Sequence, residues 1–426
     1  MDQETAISIL LSPRNVFLTG APGSGKSFVL GNIIYGYQKL KTTVAITAST
    51  GIAASQIGGV TLHSWMGAKN NSDLSQGAIE NLSNNPMYNY RFRHVEVIII
   101  DEISMLQPEL FESLNNLLQY VRSSSKPFGG VKLIVVGDFF QLPPVSKLGP
   151  KDIKYVFNSL AWKEAGFMVC YLNTQYRQDS RDELKDILDK IRLNAVGDKE
   201  ISLLQKRISI SYLDNVIGLY PYNYDVELKN KLEFDRLRGK IKKFGFYSAG
   251  NNSGCLTILK NLRLGEIYLK KGTEVIFIVN NPKQGYLNGS RGRVVDFKNK
   301  LPLVQLDNGN YLVVQYYNFK MEINNKVTAE VWALPLRLAY AITIHKSQGM
   351  SLDRACVDLE RVFGYGMGYV GLSRLRSLEG LYLTGVNKKA LKVDPKVIRM
   401  DRVWHNASSK IERLIKQSSI ASILLL

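Results

Sequence analysis

The octapeptide Gly20-Ala21-Pro22-Gly23-Ser24-Gly25-Lys26-Ser27 fits G-x-x-x-x-G-K-[ST] and constrains this chain more than any other feature. It follows a short apolar run at 15–19 and precedes a stretch of helical pattern at 28–37. Strand, glycine-rich turn and helix in that order form a phosphate cradle. The glycines let backbone N–H groups close around a β-phosphate, Lys26 reaches the β/γ oxygens, and the Ser27 hydroxyl can ligate Mg²⁺. Gly20, Gly23, Ser24, Gly25, Lys26 and Ser27 are therefore the expected contacts to ATP. The preceding strand must be buried in a parallel sheet, so the fold class is α/β.

Further runs rich in Val and Ile lie at 43–48, 95–100 and 131–136, each ending in small or acidic residues, as parallel strands covered on both faces do. Asp101-Glu102 closes the 95–100 run. There Asp101 can hold Mg²⁺, often through water, while Glu102 orients or deprotonates an attacking water. Nucleotide kinases and switch GTPases do not typically need that second carboxylate. Gly137-Asp138-Phe139-Phe140-Gln141-Leu142-Pro143-Pro144 ends the next run and brings the Gln141 amide toward a γ-phosphate. Between the second and third runs, 68–93 is polar, Asn-rich and too long for a simple connection, so it reads as a small inserted subdomain.

The second half changes texture. A charged helix is expected around 181–194, and an amphipathic one around 397–417. Strand-like runs at 274–279, 293–297, 303–306 and 311–317 are separated by Asn281-Pro282, Asn288-Gly289 and Asn308-Gly309, the signature of a small antiparallel barrel or sandwich within 264–331.

Charge bears on partners. Lys and Arg number 55 against 37 Asp and Glu, a net of +18, which suits a polyanion such as nucleic acid or an anionic membrane, or else simple solubility. With 45% hydrophobic and 22% charged residues, the chain has a globular balance. No apolar run approaches a membrane span, and the first fifteen residues do not read as a signal peptide. Cys170, Cys255 and Cys356 are far apart, which argues against a disulfide framework or zinc site and fits a reducing compartment. The expectation is a soluble, cytoplasmic, multidomain protein.

Several motifs occur in one order: the glycine-rich loop, Thr47-Ala48-Ser49-Thr50-Gly51-Ile52-Ala53-Ala54, Thr61-Leu62-His63-Ser64, Asp101-Glu102 and Gly137 to Pro144. Gln175-Tyr176-Arg177-Gln178, Ile344-His345-Lys346-Ser347-Gln348-Gly349 and Tyr369-Val370-Gly371-Leu372-Ser373-Arg374 follow. The set resembles superfamily 1 DNA helicases of the Pif type (petite integration frequency), relatives of the RecD helicases. The resemblance implies two RecA-like cores, one from 1–67 with 94–170 and the other from 171–263 with 332–426. It also implies a wedge at 68–93 in the first core and an SH3-like β-barrel at 264–331 in the second.

The resemblance further implies an ATP- and Mg²⁺-dependent motor moving 5′-to-3′ on single-stranded DNA and opening forked or 5′-tailed duplex, in DNA repair, replication, recombination or telomere-type maintenance. A monomer is expected, with a dimer on DNA left open. The resemblance assigns Gln3 to an adenine contact, although a Gln so near the start would otherwise read as disordered. Arg177 and Arg374 correspond to arginine fingers, which neutralise transition-state charge and are worth ~10³–10⁵ in rate. Thr50, Thr61, His63, His345, Lys346 and Ser347 match segments that hold the strand by its phosphates; for His345 a satisfied core histidine remains the alternative. Two departures stand out: Met367 where the family usually has Gln, and Gly371 where it has Ala. The rival readings are a translocase NTPase subunit of a nuclease complex, and a non-enzymatic scaffold that keeps the fold.

Overall fold

The computed structural model describes residues 1–68, 72–144, 153–176, 182–208, 216–262, 264–279, 281–286, 288–323 and 326–417. Two compact units divide the chain: Met1–Tyr212 with Ile344–Leu426, and Leu213–Thr343.

The first unit is organised by a six-stranded parallel sheet. Its strands are β1 (Val16–Gly20), β2 (Val44–Ala48), β3 (Val60–Thr61), β4 (Val97–Asp101), β5 (Lys132–Val136) and β6 (Met168–Leu172), in the order β3-β2-β4-β5-β1-β6. All five residues of β1 are buried, as expected of a central strand covered on both faces. Register fixes where the chemistry falls: Ile100 pairs with Val135 and Leu18 with Val136. The C-terminal ends of β1, β4 and β5 therefore reach one edge together, bringing Gly20, Asp101 and Gly137 side by side. Helices α1 (Gln3–Leu10) and α2 (Lys26–Lys39) cover one face through Ile9, Leu10, Val29 and Ile33, packed on Val16, Leu18 and Ile134. α2 is longer than the expected 28–37 because the glycine-rich turn feeds directly into its first residue, Lys26.

A short helix, α3 (Gly51–Gln56), follows β2. The stretch read as an insertion at 68–93 holds helix Gln76–Asn84 and all but the last residue of helix Pro86–His94, capped by Ser75 and Asn85. Phe92 anchors the second of these against Trp65. The expected charged helix is Glu183–Arg192, and the amphipathic one is Pro395–Gln417. Trp404 of the latter is buried among Phe17, Phe139 and Phe157. Strands Ala355–Leu359 and Leu381–Val386 form a parallel pair, and helix Met367–Ser373 lies between them in sequence. Both departures noted in that helix have packing reasons. Met367 is buried, where a thioether needs no hydrogen-bond partner. A Cβ at Gly371 would stand 2.9 Å from Val357 Cγ1, closer than carbon atoms tolerate.

The second unit contains a five-stranded antiparallel sheet in the spatial order Tyr311–Val313, Leu301–Leu306, Arg291–Lys298, Glu274–Phe277, Leu336–Leu338. Its core is built from Val275, Phe277, Val294 and Val304. The four expected runs appear there with shifted ends, the last stopping at Val313. A second antiparallel sheet, Tyr317–Ile323, Lys326–Ala333 and Tyr247–Gly250, backs onto helix Asn252–Asn261 through Cys255, Ile258, Phe319 and Val331. Sequence reasoning did not anticipate this sheet, because Tyr247–Gly250 is exposed throughout and carries no alternating pattern. The parallel pair Ile217–Tyr220 and Ala341–Thr343 is held by Asn230, whose amide both donates to and accepts from the Ala341 backbone. Among the described residues, no helix is long and apolar enough to cross a membrane.

Candidate active site

The glycine-rich turn frames a cavity of about 510 Å³ at the C-terminal edge of the parallel sheet. Gly23, Lys26 and Ser27 line one side, and Glu102, Gln141 and Arg374 the other. The volume suits a nucleotide-sized ligand. Lys26 Nζ donates to the carbonyls of Gly20 (2.8 Å) and Ala21 (3.0 Å), so its ammonium stands inside the turn. Burial holds the Lys26 pKa below the usual lysine value, against the pull of Asp138 and Glu102. The Ser24 hydroxyl is buried without a partner among the described residues.

Gln3 lies in α1, capped by Asp2, and its Nε2 reaches the Ser24 carbonyl at 3.5 Å. Gly25 has φ +88°, and a Cβ there would collide with the Gln3 amide, so only glycine permits this approach. Gln3 thus sits in a helix against the turn, whereas unaided reading of a Gln so near the start gave disorder. Tyr176 flanks the turn as well: its N–H donates to the Gly23 carbonyl at 2.8 Å while its ring lines the cavity and is 64% exposed. Sequence reasoning quoted Tyr176 within a motif and gave it no role. The available signal was a large aromatic beside Arg177, the expected finger. Arg177 itself lies outside the described residues.

Asp101 ends β4, and its Oδ1 accepts the Glu102 N–H at 2.8 Å. Burial, and then the Glu102 charge, push its pKa up to about 7. Glu102 has φ 51° and ψ 46°, a left-handed conformation that costs a non-glycine residue about 1–2 kcal/mol. The Ser49 hydroxyl steadies it by donating to its carbonyl at 2.7 Å. Burial raises the Glu102 pKa, with Lys26 and Arg374 opposing. Its Oε2 accepts a 2.8 Å hydrogen bond from Gln348 Nε2, a residue quoted within its motif but given no role because nothing local links it to β4.

Gln141 is buried in a turn that Asp138 organises: Gln141 N–H donates to the Asp138 carbonyl, and Phe140 N–H to its Oδ1. The Gln141 Oε1 has no partner among the described residues. Arg374 is 1% exposed; its Nε donates to the Val370 carbonyl at 3.0 Å and its Nη2 to Ser373 Oγ at 2.9 Å. Arg376 also lines the cavity and pairs with Asp353 at 3.1 Å. Its spacing from Arg374 was the overlooked signal.

The residues expected to hold a strand divide. Thr50 and Thr61 hydroxyls accept from Ala53 and Ser64 N–H groups and so cap the helices that follow them. His63 Nε2 lies 3.3 Å from Ser72 Oγ. Burial lowers the pKa of both His63 and His345 below the usual histidine value, which favours the neutral imidazole near pH 7. Ser347 is fully buried and its Oγ donates to the Ile344 carbonyl at 2.8 Å; it shapes the loop instead of reaching outward.

A strand–glycine turn–helix cradle with an acid pair at the end of β4, the next strand but one, a buried glutamine and a buried arginine defines a P-loop nucleoside triphosphatase. The profile of PIF1-like helicases matches residues 2–206. The ATP-dependent DNA helicase Pif1 of Psychrobacter sp. (strain PRwf-1) is 36% identical over 456 residues, covering 93% of this chain and 69% of its own length. This chain thus spans about two thirds of that relative. Among solved structures, the Pif1 helicase from Candida albicans superposes with a TM-score of 0.84 at 30% identity, over 94% of this chain and 98% of its own. The Bacteroides Pif1 helicase in complex with ADP-AlF3 and ssDNA gives 0.71 at 29%, over 95% and 96%. The chain belongs to the PIF1-like helicase family.

Proposed function

We propose that this chain is an ATP-dependent DNA helicase that moves 5′-to-3′ on single-stranded DNA and opens forked or 5′-tailed duplex. The carrying observation is that Arg374, buried and charged, faces the same cavity as Lys26, Glu102 and Gln141. We read 1–67 with 94–170, and 171–263 with 332–426, as the two RecA-like cores, 68–93 as the wedge, and 264–331 as the SH3-like barrel.

ATP enters with its phosphates against the Gly20–Ser27 turn, and Lys26 exchanges its carbonyl partners for phosphate oxygens. Gln3 and the Tyr176 ring bound the base end. Two oxygen donors, Ser27 and Asp101, beside a phosphate cradle suit Mg²⁺, which keeps several waters and takes its other oxygens from phosphate. When bound, the ion would neutralise charge on the β and γ oxygens. Glu102 takes the proton of the attacking water, Gln141 senses the γ-phosphate by donating from its amide nitrogen while its Oε1 can accept from that water, and Arg374 and Arg177 stabilise the transition state. The charge of +18 favours phosphate contact, so DNA affinity falls steeply with salt.

Strand separation on duplexes with a 5′ or a 3′ single-stranded tail, under single-turnover conditions with ATP and Mg²⁺, tests the reading. The 5′-tailed duplex opens and the 3′-tailed one is spared. The reverse preference refutes the polarity, and no opening of either favours a translocase subunit. Replacing 68–93 with a short linker reduces unwinding more than DNA-stimulated ATPase.

A further inference from the structure

We propose that Gln348 is a positioning residue that carries strand contact at His345-Lys346 to Glu102, so that hydrolysis follows DNA engagement. The inference rests on the helicase reading above. Residues Ile344–Ser347 form a single 3₁₀ turn, closed internally by the Ser347 hydroxyl, with the Met350 N–H returning to the Ser347 carbonyl at 3.0 Å. These bonds brace the turn from within, so that it can shift as one piece.

Gln348 is the next residue, and its buried amide bonds the Glu102 carboxylate directly. The other end of that amide, Oε1, is buried without a partner among the described residues. A buried acceptor left open is costly, and it is relieved by a donor such as the attacking water. The loop's exit reaches the second catalytic group as well: Arg374 Nη1 donates to the Met350 carbonyl at 3.4 Å, and Leu352 N–H to the Arg374 carbonyl at 2.8 Å. One short segment therefore holds both Glu102 and Arg374.

The same segment leans on a second strand element. Gly349 has φ +81°, and a Cβ there would stand 2.8 Å from Gln56 Oε1. Gln56 ends α3, whose first turn Thr50 caps. A strand pressed on Thr50 and on His345-Lys346 thus acts from two sides on the residue that grips Glu102.

The test uses the full chain, oligo(dT) as the strand, steady-state ATPase for kcat and KM, a fluorescent ATP analogue for nucleotide binding, and anisotropy for strand binding. Gln348→Met keeps the side-chain length and removes the hydrogen bond. It is expected to lower the oligo(dT)-stimulated kcat about tenfold or more, the effect of losing a hydrogen bond to a charged group. The DNA-free kcat falls less, so the stimulation ratio collapses, while nucleotide and oligo(dT) affinities stay within about twofold of wild type. Gln348→Asn, which withdraws the amide by one methylene, gives an intermediate loss and serves if the methionine variant does not fold. Stimulation equal to wild type overturns the proposal, as does an equal fall in both kcat values or a lost affinity for oligo(dT). A wild-type ATPase that ignores oligo(dT) instead overturns the helicase reading beneath it.

Discussion

Replacing Arg192 with methionine removes the charged centre of a network that ties the Asp138 turn to two helices. Arg192, at the end of Glu183–Arg192, donates to both oxygens of Asp138 at 3.2 and 3.1 Å, to Tyr369 Oη at 2.9 Å and to Tyr171 Oη at 2.7 Å. Its guanidinium lies 3.9 Å from the centre of the Phe140 ring, and Asp401 is 3.4 Å away. Burial disfavours the charge, yet Asp138 and the neighbouring tyrosines hold the Arg192 pKa well above its ordinary value. Methionine retains most of the stem volume but leaves Asp138, 1% exposed, as a buried carboxylate without its cation. Removing one partner of such a pair costs about 3–5 kcal/mol. For a unit of this size each kcal/mol moves Tm by about 2–4 °C, so thermal unfolding followed by circular dichroism should show a loss of about 10 °C. Because Asp138 also organises the turn that carries Gln141, DNA-stimulated ATPase should fall with it. The double variant with Asp138→Asn separates the pair from its surroundings: it should lose at least about 1 kcal/mol less than the sum of the single variants. A Tm within 2 °C of wild type (about 1 kcal/mol or less) or strict additivity would refute the reasoning.

The remaining predictions concern the cavity and its supports. Lys26→Ala abolishes ATP hydrolysis, whereas Glu102→Gln still binds a fluorescent ATP analogue but turns over at least about a hundredfold more slowly, and near-normal turnover would remove Glu102 from the base role. Gly371→Ala, the residue usual in the family, forces a methyl onto Val357 and destabilises by about 1–3 kcal/mol, measured by thermal unfolding. Asp101, raised to about 7, holds a proton below that pH which a metal must displace. Apparent affinity for Mg²⁺–nucleotide therefore rises from pH 6 to pH 8, with the metal-free nucleotide as the control, and a flat titration would count against Asp101 as a metal ligand.

Local pattern was enough to read the parallel-strand core, the phosphate turn and the order of the motifs. Short apolar runs ending in Gly, Asp and Gly can be covered on both faces only within a parallel sheet, and that sheet delivers its strand ends to one edge. Lys26, Ser27, Asp101, Glu102 and Gln141 were legible for this reason: each sits at or just beyond such an end. Arg374 and Gln3 needed the resemblance, since a lone arginine or a glutamine near the start carries no local signal. What the tertiary structure alone decided is how distant segments meet. The bond from Gln348 to Glu102 joins residues 246 positions apart, and the Arg192 network gathers side chains from five separate segments. Whether Ser347 faces a strand or its own loop, and why Gly371 has no side chain, likewise depended on neighbours no local window contains. Periodicity records which face of an element is buried, but the identity of the atom across that face is set by how the elements close on one another.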